Sequence, residues 1–241
     1  MKIYAVGLGP GGLEYLIPKA LEVINESEVI VGYTAYVKLI EPLLEGKMVL
    51  STGMMGEVER CKLAIEKAQE GKKVTVVSSG DSGIYGMAGL LMELLGEDSP
   101  LQVEVIPGIT AASAAGALLG APLSNDFAVV SLSDLMTPWP VIQKRLQAAA
   151  AGDFVLCLYN PMSKKRTDYL RQAAEYCLLH RSKDTPCGIV RNAGRPDECL
   201  SIVPLSELIT AQVDMFTIVL IGNSQTVLLN GRLVTRRGYR V

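Results

Sequence analysis

Three short segments hold this chain's capacity for chemistry: V-G-L-G-P-G-G over Val6–Gly12, S-S-G-D-S-G over Ser78–Gly83 and V-I-P-G-I-T-A-A over Val105–Ala112. Each follows a short apolar run that reads as a strand. Glycine carries no side chain to keep a ligand off the main chain, and open α/β sheets bind ligands beyond the carboxyl ends of their strands. Three such turns predict a site where peptide groups grip a nucleotide-like small molecule. Asp81, between Gly80 and Ser82, fits two roles there: a turn residue bonded to its own backbone, or a contact to the ligand.

The elements that must position these turns follow from hydrophobic patterning. Strand-like runs at Lys2–Val6, Glu28–Val31, Lys73–Ser78 and Val103–Ile106 alternate with helical patterns at Pro18–Asn25, Tyr33–Leu44, Glu57–Gln69, Tyr85–Leu95 and Ala111–Leu119. That alternation predicts βαβ crossovers and a largely parallel sheet. The pattern then restarts with strands Ala128–Leu132, Phe154–Leu158, Gly188–Val190, Leu200–Val203 and Thr217–Ile221 and helices Pro140–Ala150, Thr167–Leu179 and Ser206–Ala211. A seam near Gly120 divides two α/β domains, 1–119 and 120–241. In the tail Val227–Tyr239, Asn230-Gly231 signals a type I′ hairpin.

Composition excludes whole classes of function. The chain has 241 residues, 49% of them hydrophobic and 20% charged, enough to bury a large core. A net charge of -2 gives no global positive field for nucleic acid or an anionic membrane. No run approaches the roughly 18 apolar residues of a membrane span, and the opening M-K-I-Y-A-V-G enters a strand directly, so the expected compartment is the cytoplasm. Five scattered cysteines with no C-x-x-C pair suit reduced thiols, and a single histidine, His180, rules out a His-rich metal site. His180 itself falls at a helix end, where a surface position is expected.

Gly7, Gly9 and Gly12 satisfy G-x-G-x-x-G, the dinucleotide fingerprint. Two features oppose that reading. Pro18 reads as the first residue of a helix that starts well after the loop, so no helix N-terminus faces a pyrophosphate. The second strand runs into Gly32-Tyr33-Thr34 rather than the acidic residue that would hold a ribose hydroxyl.

Taken together, the motifs resemble those of the tetrapyrrole methylases, methyltransferases that use S-adenosylmethionine. The resemblance lies in V-G-L-G-P-G-G, S-G-D-S-G-I-Y-G over Ser79–Gly86 and V-I-P-G-I-T-A-A, in the family's order, and spans essentially the whole chain. D-F-A-V-V-S-L-S-D-L-M-T-P-W over Asp126–Trp139, L-Y-N-P-M-S-K-K-R over Leu158–Arg166 and I-V-R-N-A-G-R over Ile189–Arg195 narrow it to the enzymes that methylate ring carbon 17 in corrin biosynthesis. The resemblance implies two α/β domains with an inter-domain cofactor cleft, a trough for the tetrapyrrole substrate, associated ring contraction, and a homodimer. It also implies cofactor contacts at Gly9, Pro10, Gly80, Asp81, Ser82, Ile84, Thr110 and Ala111, and at Tyr159, Asn160, Asn192 and Ala193. Where many relatives have histidine before the aspartate of the D-F motif, this chain has Asn125.

Methyl transfer from a sulfonium to a carbon nucleophile needs alignment and exclusion of water, not a metal. The implied substrate bears many carboxylates, which guanidinium groups bind in a bidentate way, so Arg166, Arg191 and Arg195 are the candidate substrate contacts. Lys164-Lys165-Arg166 also reads as a solvated helix start, and Arg236, Arg237 and Arg240 as solvent-facing. Asp126 and Asp134 flank one strand; Asp126 is the candidate general base and Asp134 the candidate cap of a turn. Tyr85 is a second catalytic candidate, for orienting substrate. Trp139 reads as a core or seam residue, and Met54-Met55 as a loop that could close over a large apolar ring. The alternatives are a sister enzyme of the fold, acting on another corrin carbon or as diphthine synthase, and a non-catalytic binder. The cobalt-bearing acceptor is preferred because the chain shows no metal or haem site of its own for an oxygen-dependent contraction.

Overall fold

The computed structural model describes residues 2–163 and 167–239. They divide into two compact units, Met1–Ala111 and Ala112–Val241.

In the first unit, strands β1 (Lys2–Gly7), β2 (Val29–Tyr33), β3 (Met48–Thr52), β4 (Val74–Ser78) and β5 (Gln102–Ile106) form one sheet in the order β3-β2-β4-β1-β5. Every pairing is parallel. Helices α1 (Pro18–Glu26), α2 (Thr34–Val37), α3 (Glu57–Gln69) and α4 (Ala88–Leu95) cover it. Ile3, Ala5, Val29 and Val76 pack with Cys61, Ala64 and Leu91 of α3 and α4, while Val6, Ile30 and Val77 pack with Ala20, Val23 and Ile24 of α1. With both faces covered, β4 is buried throughout, as a central parallel strand must be.

The expected parallel sheet and its crossovers are present here, with three local differences. The helical pattern over 33–44 breaks into α2 and a 3-10 segment, Lys38–Leu43, because Pro42 lacks a donor and Ile40 leaves helical geometry. Strand β3 has no apolar alternation to betray it, being an exposed edge strand paired only with β2. Helix α4 starts at Ala88, since Tyr85 takes a left-handed φ of 54°.

In the second unit, α5 (Ala111–Leu119) runs into β6 (Gly120–Ala121), followed by β7 (Phe127–Ser131), α6 (Trp139–Ala151), β8 (Val155–Tyr159) and α7 (Tyr169–Leu178). Then come β9 (Pro186–Arg191), β10 (Cys199–Pro204), α8 (Leu205–Leu208), β11 (Thr217–Ile221), β12 (Thr226–Leu229) and β13 (Arg232–Thr235). The main sheet, β10-β9-β11-β8-β7, corrects the expectation of a largely parallel arrangement. Only β7 and β8 are parallel; β11 runs against both β8 and β9, and β10 against β9. The physical reason for the last pairing is connection length: residues 192–198 are too few for a helical crossover. Leu146, Ala150, Leu156, Leu158, Ala173 and Cys177 anchor the core under α6 and α7. The tail hairpin forms as expected, with Asn230 and Gly231 at φ 48° and 74°. No helix among the described residues is long and apolar enough to cross a membrane.

Candidate active site

Because β1 lies between β4 and β5 and all three run the same way, their carboxyl ends bring the three glycine-bearing turns side by side. The loops are cross-linked by their own backbone. Gly9 and Gly80 exchange hydrogen bonds, N to O at 3.0 Å and 2.6 Å, and the Leu8 amide donates to the Ser78 carbonyl at 2.8 Å. Both glycines sit at positive φ, 74° and 67°. The approach elsewhere is closer still: a Cβ on Gly108 would lie 2.2 Å from the Gly80 carbonyl oxygen, and one on Gly7 would lie 2.6 Å from it.

Asp81 and Ser82 hold this arrangement in place. Asp81 Oδ1 accepts from the Gly83 amide at 2.8 Å and Oδ2 from the Gly108 amide at 2.9 Å, so one carboxylate fastens the second loop to the third. The Ser82 hydroxyl, fully buried, donates to the Ala5 carbonyl at 2.9 Å. Gly9 and Pro10 are buried in the first loop, Thr110 and Ala111 are half-buried in the third, and Ile84 and Tyr85 are exposed past the second. What this edge offers a ligand is neutral peptide polarity at short range. Helix α1 begins at Pro18, behind a 3-10 turn over Leu13–Tyr15, so no helix N-terminus opens onto the first loop, where the dinucleotide fingerprint requires one.

In the second unit, β7, β8 and β9 point one way, so Ser131, Tyr159, Asn160, Arg191, Asn192 and Ala193 emerge at one edge of the sheet. The Tyr159 hydroxyl accepts from the Ala112 amide at 2.9 Å, capping the first turn of α5. Asn160 and Asn192, each just past a strand, share a left-handed turn at φ 52° and 54°. The Asn160 amide nitrogen donates to Ser131 Oγ at 3.0 Å. Arg191 Nε donates to Asp214 Oδ2 at 2.7 Å, and Asp214 Oδ1 also accepts from Thr217 and the Phe216 amide. Arg195 sits half-buried in the turn beyond, its amide donating to the Asn192 carbonyl.

Asp126 stands apart from this group. It precedes β7, while Ser131 and Tyr159 close β7 and β8, and five strand residues place the two ends about 16 Å apart. The acid at the same edge as Tyr159 is Asp134, whose Oδ2 accepts from the Tyr169 hydroxyl at 2.8 Å. Tyr169 stacks on Trp139 with ring centroids 3.7 Å apart, and both pack against the core. His180 is exposed just past α7, and Arg236 and Arg237 are exposed. Lys164, Lys165, Arg166 and Arg240 lie outside the described residues. An open cavity of about 610 Å³, lined by Ile189, Leu200, Val203 and Glu207, shares only Arg191 with the loops.

Arg60 is a polar anchor that motif reading passed over. It is 3% exposed, on the same face of α3 as Cys61, Ala64 and Ala68. A basic residue inside an apolar helical stripe was the available signal.

A family model of tetrapyrrole (corrin/porphyrin) methylases matches residues 2–209. The chain is 45% identical over 235 residues to the probable cobalt-factor III C(17)-methyltransferase of Salmonella typhimurium, across 97% of this chain and 98% of that protein. It is 42% identical over 245 residues to the protein of the same name in Methanocaldococcus jannaschii, across 98% and 97%. The crystal structure of the methyltransferase CobJ superimposes with a TM-score of 0.91 at 36% identity, covering 97% of this chain and 99% of that one. The uroporphyrin-III C-methyl transferase of Thermus thermophilus, solved with S-adenyl homocysteine, shares the fold at a TM-score of 0.72 and 24% identity over 92% of each chain. The family model over residues 2–209 and the sequence similarity along nearly the whole chain agree: this protein belongs to the tetrapyrrole methylase family and is a methyltransferase.

Proposed function

We propose that this enzyme transfers a methyl group from S-adenosylmethionine to ring carbon 17 of cobalt-factor III, with contraction of the ring, in cobalamin biosynthesis. The observation that carries the reading is the end-to-end similarity to the carbon-17 methyltransferases at 45% and 42% identity. The loop edge of the first unit suits the methyl donor: Gly7 and Gly108 let the three loops pack backbone against backbone, which gathers their peptide groups at one edge for main-chain contact to an adenosine and an amino acid moiety.

S-adenosylmethionine, when bound, supplies an electrophilic methyl on a sulfonium. Gly9, Pro10, Gly80, Thr110 and Ala111 orient it through peptide groups, with Ile84 at the rim. Asp81 and Ser82 act indirectly, by fixing the loops that make those contacts. Tyr159, Asn160, Asn192 and Ala193 complete the set of donor contacts. Fixing the donor against a carbon nucleophile already activated by ring conjugation lowers the barrier by alignment, worth about 7–11 kcal/mol in favourable cases. Arg191 and Arg195 meet the acceptor's carboxylates, and Arg166 belongs to the same proposal. Tyr85 orients the acceptor. No general base is assigned to Asp126, which lies at the far end of β7.

The five free thiols suit the cytoplasm, and a homodimer is the proposed assembly. Anaerobic incubation with methyl-labelled S-adenosylmethionine and either cobalt-factor III or metal-free precorrin-3B tests the function. Label entering the cobalt pigment alone supports the reading; label entering neither pigment contradicts it.

A further inference from the structure

Strand β3 ends on the same edge of the first sheet as the glycine loops, two strand spacings of about 4.8 Å from β4. Its loop reads T-G-M-M-G over Thr52–Gly56, and its tip is unusual: Met54 is 56% exposed and Met55 80%, the latter at φ 67°. Left-handed backbone at a non-glycine residue carries strain and persists only where the surroundings enforce it.

The base of this loop is tied by Arg60. From the buried face of α3 its Nη1 donates to Thr52 Oγ1 at 3.0 Å and the Gly53 carbonyl at 3.1 Å, and Nη2 donates to Glu57 Oε1 at 3.1 Å. The guanidinium also lies 5.8 Å from the centroid of the Tyr33 ring, at the carboxyl end of β2. A buried charge is thus given over to holding both stems of a short loop. Two large apolar side chains stand in solvent at its tip, and Ile84 and Tyr85 stand exposed on the same edge beyond β4. Large exposed apolar groups gathered at the edge that carries a candidate site are a mark of an interaction surface.

We propose that Met54 and Met55 form an apolar shelf for the conjugated face of the tetrapyrrole acceptor, and that Arg60 is the positioning residue that presents it. Thioethers are polarizable and pack against conjugated rings without demanding one orientation. The inference rests on the methyltransferase reading above and adds to it a specific acceptor subsite.

The test is a pair of binding titrations on the purified protein: cobalt-factor III added anaerobically and followed by its visible absorption, and S-adenosylhomocysteine followed by calorimetry. Met54→Ser/Met55→Ser changes only exposed side chains, so the fold is expected to persist. The acceptor Kd is expected to rise about tenfold with the S-adenosylhomocysteine Kd unchanged. Arg60→Lys, which keeps the charge but loses the planar fork, is expected to weaken the acceptor alone in the same way. Unchanged acceptor affinity in the double variant, or equal weakening of both ligands, overturns the shelf. Wild-type protein that binds the pigment but does not methylate it overturns the proposed reaction while leaving the shelf; wild-type protein that binds no pigment overturns both.

Discussion

The Asp81 carboxylate accepts the Gly108 amide at 2.9 Å, so the loop after β4 is fastened to the loop after β5 by one side chain. Its other oxygen is taken by the Gly83 amide at 2.8 Å. An aspartate placed among the glycines of the candidate site acts here on the loops themselves. Asp81→Ala removes two charge-assisted bonds, each worth about 1.5–3 kcal/mol when intact. S-adenosylhomocysteine affinity is expected to fall at least tenfold by calorimetry, with partial retention in Asp81→Asn, which keeps one acceptor. Full affinity in Asp81→Ala would contradict the clamp.

Close backbone approach makes a sharper test. A methyl on Gly108 would meet the Gly80 carbonyl oxygen at 2.2 Å, a contact neither backbone can relieve without moving. Gly108→Ala is expected to lower stability by about 1–3 kcal/mol and to abolish cofactor binding. Gly89, exposed in α4 with nothing within 4 Å of where a Cβ would lie, is the contrasting control. There Ala is expected to raise stability by up to about 1 kcal/mol and leave binding unchanged.

The family resemblance implies a cofactor contact at Tyr159; in the structure its hydroxyl caps α5 through the Ala112 amide. Tyr159→Phe leaves that amide without its partner, at a cost of about 1 kcal/mol. For a chain of this length the expected fall in Tm is about 2–4 °C by calorimetric scan. An unchanged Tm would mean that the hydroxyl contributes nothing to the helix end.

Acid stability reports on Asp214. Burial pushes its carboxyl upward, but bonds from Arg191, Thr217 and the Phe216 amide outweigh burial and hold it below its ordinary value. A depressed folded-state value stabilises the fold fully above the unfolded carboxyl's pKa of about 3.9, and that contribution is lost as pH falls through the folded value. The stability gap between wild type and Asp214→Asn is therefore expected to be constant from about pH 5 to 7 and to close below about pH 4. A gap that widens in acid would contradict this sign.

Thiol chemistry separates the cysteines. Cys61, Cys157, Cys177 and Cys187 are buried, and burial pushes their thiols up to about 11 or 12. Cys199 alone is exposed. Native protein at pH 8 is expected to react with one equivalent of a thiol reagent, and denatured protein with five. A second fast equivalent would show that one of the buried sites opens.

Much of this candidate site is legible in the sequence, because glycine runs after apolar strands leave few alternatives. The three turns, the late start of α1 at Pro18 and the Asn230-Gly231 hairpin all follow from local chemistry. Strand direction does not: apolar runs such as Thr217–Ile221 read alike whichever way they pair, so the antiparallel half of the second sheet stayed hidden. Asp126 and Asp134 flank the same strand in sequence, yet only the sheet shows that Asp134 shares an edge with Tyr159. The close packing of Gly108 depends on Gly80 and Gly7, far along the chain, which no motif spacing encodes, whereas Arg60 is marked in sequence only as a basic residue inside an apolar helical stripe.

The measurement that bears most directly on the central claim is carbon-13 NMR of the pigment formed anaerobically from cobalt-factor III and carbon-13 methyl-labelled S-adenosylmethionine. The expected result is one enriched methyl, bonded at ring carbon 17. Enrichment at any other ring carbon, or an unlabelled pigment from protein that binds S-adenosylhomocysteine, would contradict it.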